Sequence, residues 1–272
     1  DYQRGYAWGI KQLKDFWGDI IQLEKDKNHY VGVLTFETVS KDDFMNWDDD
    51  QWIIMNKSFE PFYIVDGQQR LTTTLILIQA IIETVGEDNE LNFSTVEDIK
   101  KRYIFDSKPD GISGSYMFGY HKDNPSYEFL KTKIFNKFSG TAYLKEETIY
   151  THNLEFSKNY FLEKLSKLNH EEIGVIFKKI TQNFMFNIYS ISEDIDVHVA
   201  FEVMNNRGKP LSTLELLKNR LIYLSTKFEV EDYEKISLRK QINDSWKSVY
   251  HYLGKNKEKP LEDDKFLLNH LL

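Results

Sequence analysis

The segment Asp66-Gly67-Gln68-Gln69-Arg70 sets four polar side chains around one glycine, between the apolar run Phe62-Tyr63-Ile64-Val65 and the apolar positions Leu71, Leu75, Ile78 and Ile82. This is the pattern of a strand turning into a helix. The first N–H groups of a helix lack intrahelical partners, and the helix dipole favours an anion beside them. Arg70 adds a planar five-donor fork suited to phosphate, and the Gln68 and Gln69 amides can bind phosphate oxygens, a ribose or a water. Asp66 is placed to hold Mg²⁺ or to orient an attacking water. Asp66, Gln68, Gln69 and Arg70 are therefore the candidate catalytic residues. Gly67, Arg70, Thr72 and Thr73 are the candidate phosphate contacts, and Asp66 is the candidate metal ligand. The plainer reading has Asp66 capping the helix and Arg70 pairing with a carboxylate. Against it stands the cost of packing so many polar groups between a buried strand and a buried helix without a ligand or dense pairing.

Two further clusters carry polar groups at turns. In Phe201-Glu202-Val203-Met204-Asn205-Asn206-Arg207-Gly208-Lys209-Pro210 a helix ends at a glycine, and a second helix opens at Ser212 with Glu215 completing a capping box. Gly208 reads as an ordinary C-cap and Asn206 tolerates the same left-handed geometry. Arg207 and Lys209 go beyond that need, although cations also suit a helix C-terminus. Asn205 and Arg207 are expected beside the Arg70 site, since two weak polar turns matter chemically only if they converge. Tyr2, Gln3, Arg4, Tyr6 and Trp8 crowd aromatics and a cation into the N-terminal segment. Such groups stack on bases or wall a pocket; the alternative is a strand packing its rings on the core.

The elements that must position these groups follow from periodicity. Ile10, Leu13, Phe16, Trp17, Ile20 and Ile21 fall at helical spacing over about 9–26. His29-Tyr30-Val31-Gly32-Val33-Leu34-Thr35-Phe36 reads as a strand, with Trp52-Ile53-Ile54-Met55 and Phe62-Tyr63-Ile64-Val65 as strand neighbours across an acidic loop holding Asp48–Asp50. Residues 90–192 read mostly as helices: Ser94-Thr95-Val96-Glu97 is a capping-box signature, 108–125 is a loop, Asn169 with Glu172 opens a helix, and Phe184–Tyr189 is a strand. Val197, Ala200, Phe201 and Met204 mark a helix, Leu216–Leu224 another, and the remainder is helical around a polar loop at 254–264. No repeat or low-complexity tract interrupts the chain.

Composition narrows the function. The 272 residues are 41% hydrophobic and 15% aromatic, enough for a core, and contain no cysteine, which removes disulfides, thiolate metal sites and cysteine nucleophiles. No apolar run approaches the roughly 20 residues of a membrane span, and no signal-peptide pattern opens the sequence; a cytoplasmic location is expected. The net charge of −8 argues against a diffuse phosphate-binding face, so any DNA contact must be local. P-loop and G-x-G-x-x-G signatures, paired metal-site histidines and a G-x-S-x-G elbow are all missing from the sequence.

Tyr2-Gln3-Arg4-x-Tyr6-x-Trp8, His29-Tyr30-x-Gly32, Asp66-Gly67-Gln68-Gln69-Arg70-Leu71-Thr72 and Asn205-x-Arg207-Gly208-x-x-Leu211-Ser212, in this order, resemble the N-terminal domain of GmrSD-type modification-dependent restriction enzymes, whose relatives include phosphorothioate-sensing defence effectors. The resemblance implies an α+β, ParB/sulfiredoxin-like fold: a nucleotide-binding α/β region over 1–88, and a mainly helical extension over 89–272 packing on it. It implies binding and hydrolysis of a nucleoside triphosphate with Mg²⁺, or, as the alternative, a non-hydrolytic nucleotide switch or DNA-binding module of ParB type. It also implies modified DNA as a partner, sensed through Tyr2, Gln3, Arg4, Tyr6 and Trp8, and a C-terminal nuclease domain or partner subunit, with a homodimer as one assembly. Residues 90–190 match only in helical character. The Asp-His-Ile core of the family nuclease does not occur in these 272 residues, and the chain opens inside a motif. We therefore expect the regulatory part of a longer protein.

Overall fold

The apolar stripe Leu13, Phe16 and Ile20 is the buried face of α1 (Ile10–Gln22), whose last turn is closed by Lys179 donating to the Ile20 carbonyl at 2.9 Å. The chain continues through β1 (His29–Thr38), α2 (Lys41–Phe44), α3 (Gln51–Lys57), β2 (Phe62–Asp66) and α4 (Gln68–Val85). Next come β3 (Glu90–Leu91), β4 (Ser94–Thr95), α5 (Val96–Tyr103), β5 (Phe105–Ser107) and β6 (Gly114–Tyr116). α6 (Tyr127–Phe129) widens into a π-turn, Leu130–Ile134; α7 (Ile149–Leu165) and α8 (His170–Lys178) follow, the latter leading through a second π-turn, Lys179–Asn183, to β7 (Phe184–Ile191). Three helices close the chain: α9 (Thr213–Thr226), α10 (Asp232–Gly254) and α11 (Asp263–Leu271). The computed structural model describes residues 5–108, 114–121, 124, 126–136, 148–191, 212–256 and 259–271.

The architecture is mixed α+β with small sheets and a mostly helical C-terminal region. β1 is the middle strand of the largest sheet, antiparallel to β2 and parallel to β7. α4 starts one residue after β2 and is buried along almost its whole length, from Thr72 to Ile82. A helix apolar all round belongs in the centre of a core; here α7 lies against it, and Ile76, Leu77, Leu154 and Phe161 are fully enclosed. Each such side chain stabilises the fold by roughly 1.5–3 kcal/mol. A smaller cluster of Tyr150, Leu214, Tyr250 and Leu253 ties α9 and α10 to the start of α7.

Three local expectations change. Trp52-Ile53-Ile54-Met55 is not a strand but the body of α3, with Asp50 at its N-cap and only Ile53 buried; a short apolar run cannot by itself distinguish the two states. The cap of α5 is Thr95, accepting from the Asp98 amide at 3.1 Å, one residue later than Ser94 with Glu97. The 108–125 stretch contains β6, which its Gly and Ser content concealed, paired antiparallel with β5. The capping boxes of Asn169 with Glu172 and of Ser212 with Glu215 form as expected. The helix expected around 197–204 lies outside the described residues.

Candidate functional site

β2 ends at Asp66 opposite Thr35, so β1 runs on past it without a β2 partner at Val33. Arg70 fills that place. Its Nη2 donates to the Val33 carbonyl at 2.5 Å and lies 3.5 Å from the Asp66 carboxylate. The guanidinium rests on Gly32, where the β1–β7 register slips: a Cβ there would stand 2.7 Å from Nη1, and φ is +136°. Gly67, at φ +91°, meets the same cluster, since a Cβ would collide with Leu34 and stand 3.0 Å from the Val33 carbonyl. Both glycines are therefore dictated by close approach as well as by backbone conformation. Two of the recognised segments, His29–Gly32 and Asp66–Arg70, meet at this seat. The Arg70 side chain remains 25% exposed, and its Nε is buried with no hydrogen-bond partner.

Gln69 faces the N-terminal segment instead. Its Oε1 accepts from the Ala7 amide at 2.8 Å, and its Nε2 reaches the Gly5 carbonyl at 3.4 Å. The amide thus replaces a neighbouring strand, satisfying backbone groups that burial would otherwise leave unpaired. One acceptor site and one donor of the Gln69 amide are thus taken up in holding this segment. Tyr6 lies in the core, which corrects its expected place on an exposed surface. Its side chain is 0% exposed, with Oη 2.7 Å from Thr73 Oγ1 and 3.2 Å from Ser157 Oγ. Burial pushes its phenol up to about 12, so it stays neutral. Trp8 is half-buried, edge-on to Phe16 at 6.0 Å. Thr72 and Thr73 are also corrected: both are buried, Thr72 beside the Tyr120 hydroxyl and Thr73 donating to the Gln69 carbonyl at 2.8 Å. By the second turn of α4 the threonines face the core and cannot reach a phosphate at the helix end.

Asp66, Gly67, Gln68 and Arg70 remain at the start of α4. The N-cap, Gly67, supplies no side-chain acceptor, so the first-turn amides are open to an external one. Gln68 is partly exposed and makes no hydrogen bond among the described residues. Asp66 is partly exposed and has only the long contact to Arg70. Among the described residues no group of three or more metal-ligating side chains gathers, so Asp66 would hold a cation only with the help of a ligand's own oxygens. Tyr2, Gln3, Arg4, Asn205 and Arg207 lie outside the described residues. The neighbours of two of these segments do meet: Ala7 and Ser212 share a cleft of about 430 Å³ with Asn153, Glu262, Asp263 and Asp264. Asp263 and Asp264 accept from the Ser212 hydroxyl and the Thr213 amide at 3.1 and 2.6 Å, completing the α9 cap.

Sequence reading passed over Glu37 and Tyr63, which face each other across β1 and β2. The available signal was a lone carboxylate inside an aromatic, β-branched strand.

With this geometry in place, comparison with known families is informative. The model described as GmrSD restriction endonuclease, N-terminal domain, matches residues 1–222. The chain belongs to this family. It is accordingly a domain of a restriction or defence protein, and the match spans the seat of Arg70, the Gly5–Ala7 backbone that Gln69 holds, and β7. Comparison with curated proteins gives no match. No helix among the described residues is long and apolar enough to cross a membrane.

Proposed function

We propose that this GmrSD-family domain binds and hydrolyses a nucleoside triphosphate with Mg²⁺, and that this turnover regulates a DNA-directed nuclease in a separate domain or subunit. The observation that carries the reading is the uncapped start of α4, where open backbone amides stand beside the fixed Arg70 guanidinium and the free Gln68 amide. A helix N-terminus with an adjacent guanidinium suits phosphate. Asp66, at the same turn, is the group to share a Mg²⁺ with phosphate oxygens or orient the attacking water.

Arg70 is a poor first target because its removal also strips the Val33 carbonyl of a donor. Asp66→Asn and Gln68→Ala are cleaner, since neither side chain carries a short structural bond. Triphosphate binding and phosphate release are measured with Mg²⁺, with and without DNA, alongside melting temperature. The expected result is a folded Asp66→Asn protein with turnover reduced on the order of 100-fold, as for loss of an oriented charge, and a Gln68→Ala protein with weaker binding. An Asp66→Asn protein that loses stability but keeps its turnover would leave Asp66 as a purely structural turn residue.

A further inference from the structure

The β3–β4 hairpin turns on two residues, Asn92 and Phe93, which follow the Glu90–Thr95 and Leu91–Ser94 pairs. Both have positive φ, +52° and +63°. A two-residue turn of this kind calls for Asn-Gly, because asparagine and glycine enter that region with least strain. Asn92 meets the demand, but a phenylalanine in the glycine position is a steric outlier. The same Phe93 is 103% exposed, the most exposed large apolar side chain among the described residues. Solitary exposed apolar residues are common and need no account. One that is held against its backbone preference, with no packing in return, does need one.

The turn is anchored. Leu91 is buried beneath it, the Val96 amide donates to the Asn89 carbonyl at 3.1 Å, and Asn92 Nδ2 donates to the Gly174 carbonyl of α8 at 2.7 Å. Gly174 admits that contact, since a Cβ there would stand 2.6 Å from Asn92 Oδ1. The surrounding charge is one-sided. Lys100 pairs with Glu87 and Lys101 with Glu97, at 3.5 and 2.6 Å. Asp88 and Glu90 before the turn, Asp98 after it, and Glu171 and Glu172 in the first turn of α8 have no cation partner among the described residues. Arg102 and Lys178 stand in the last turns of α5 and α8, at the opposite ends from these carboxylates.

We propose that Phe93 anchors a protein-docking surface, and that its partner offers an apolar pocket rimmed by lysine and arginine. The surface draws on none of the residues assigned to the triphosphate. Aromatic side chains seated in a partner's pocket carry much of the energy of protein interfaces, and a turn set in advance presents the ring without a further ordering cost. The carboxylates decide the kind of partner. They repel the phosphates of DNA and of an anionic lipid surface, and they attract and steer a basic rim. A second copy of this chain is a poor match, because the cleft beside Ala7 carries Glu262, Asp263 and Asp264 on its own rim.

The test places the photo-crosslinker p-benzoylphenylalanine at position 93 of the whole chain in its native host, and identifies the labelled peptide by mass spectrometry. One discrete protein adduct is expected, on an apolar peptide flanked by lysine or arginine. That protein, purified, is then titrated against the native chain, Phe93→Ala, Phe93→Gly and the double variant Glu90→Lys, Glu171→Lys. Both Phe93 variants should bind at least about 30-fold more weakly, as at other anchors. The charge reversal should slow association and flatten its salt dependence. Melting temperature separates the ring from the backbone. Phe93→Ala keeps the strained φ and should melt like the native chain, whereas Phe93→Gly relieves it and should melt about 2–4 °C higher. No discrete adduct, an adduct to DNA or to a second copy, or native-like binding by Phe93→Ala overturns the docking surface. A Phe93→Gly protein that melts no higher than the native one removes the strain from which the surface was argued, and the assignment with it.

Discussion

Replacing Gly32 by alanine isolates the contact on which the Arg70 seat depends. The backbone there has φ +136°, and the new methyl would stand 2.7 Å from Arg70 Nη1 and 3.0 Å from Cζ. Two costs follow. An L residue held in that rarely populated region loses about 1–3 kcal/mol. The guanidinium must also lift from the strand, and its charge-assisted bond to the Val33 carbonyl, worth roughly 1.5–3 kcal/mol, lengthens or breaks. In an Arg70→Ala background the second cost has already been incurred and only the backbone cost remains. The four proteins of the cycle should therefore be non-additive, with the double variant roughly 1.5–3 kcal/mol more stable than the sum of the single losses predicts. Denaturant midpoints with a common slope provide the measurement. Additivity to within about 0.5 kcal/mol would refute the reasoning, because it would mean that the guanidinium does not rest on Gly32.

Tyr6→Phe should lower stability by about 1–2 kcal/mol, since the Thr73 and Ser157 hydroxyls lose a buried partner, while leaving any DNA response intact; a stable variant with an abolished response would return Tyr6 to a sensing role. Lys158 reaches the Lys133 and Ile134 carbonyls, Asn136 and Glu83 from a buried position. Lys158→Met should therefore cost on the order of 3 kcal/mol in denaturant midpoint, as for other broken buried pairs. Glu37 provides a pH test. Its folded pKa is raised by burial, so the protein loses stability as pH climbs from below the unfolded carboxylate value through the raised folded one. Glu37→Gln should accordingly melt higher than the native protein at pH 7 and alike at pH 3.5, and a native-like difference at both values would rule out the desolvated carboxylate.

Local chemistry made part of the site legible. The apolar run before Asp66, the glycine and the apolar period after Arg70 place β2, the turn and α4 without tertiary information, because each signal is confined to neighbouring residues. The capping boxes at Asn169 and Ser212 are local in the same way. The structural role of Gln69 was hidden for the opposite reason. Its partners are the Gly5 carbonyl and the Ala7 amide, backbone groups that look the same in every sequence. Thr72 and Thr73 were misassigned because one turn of helix rotates side chains from the open end into the core, and α4 is buried on all sides rather than along one stripe. Glu37 was passed over since its significance lies in facing Tyr63 across a register that the loops between the strands do not encode.

The polar groups of the recognised segments divide by function once their partners are known. Gln69 ties α4 to the Gly5–Ala7 backbone, Tyr6 closes on Thr73 and Ser157, and Arg70 locks α4 to β1 through Val33. These bonds fix the start of α4 on three sides, and a rigid surround is what a binding group needs to hold its geometry without reorganising. Asp66 and Gln68 lack such short bonds, and they stand at the open start of α4. Substitutions in the first set should thus weaken ligand binding and stability together, because they act by moving the helix end. Substitutions in the second set should weaken binding alone. A Gln69→Ala protein that keeps native stability while losing nucleotide would break that division, and would return Gln69 to direct contact with the ligand.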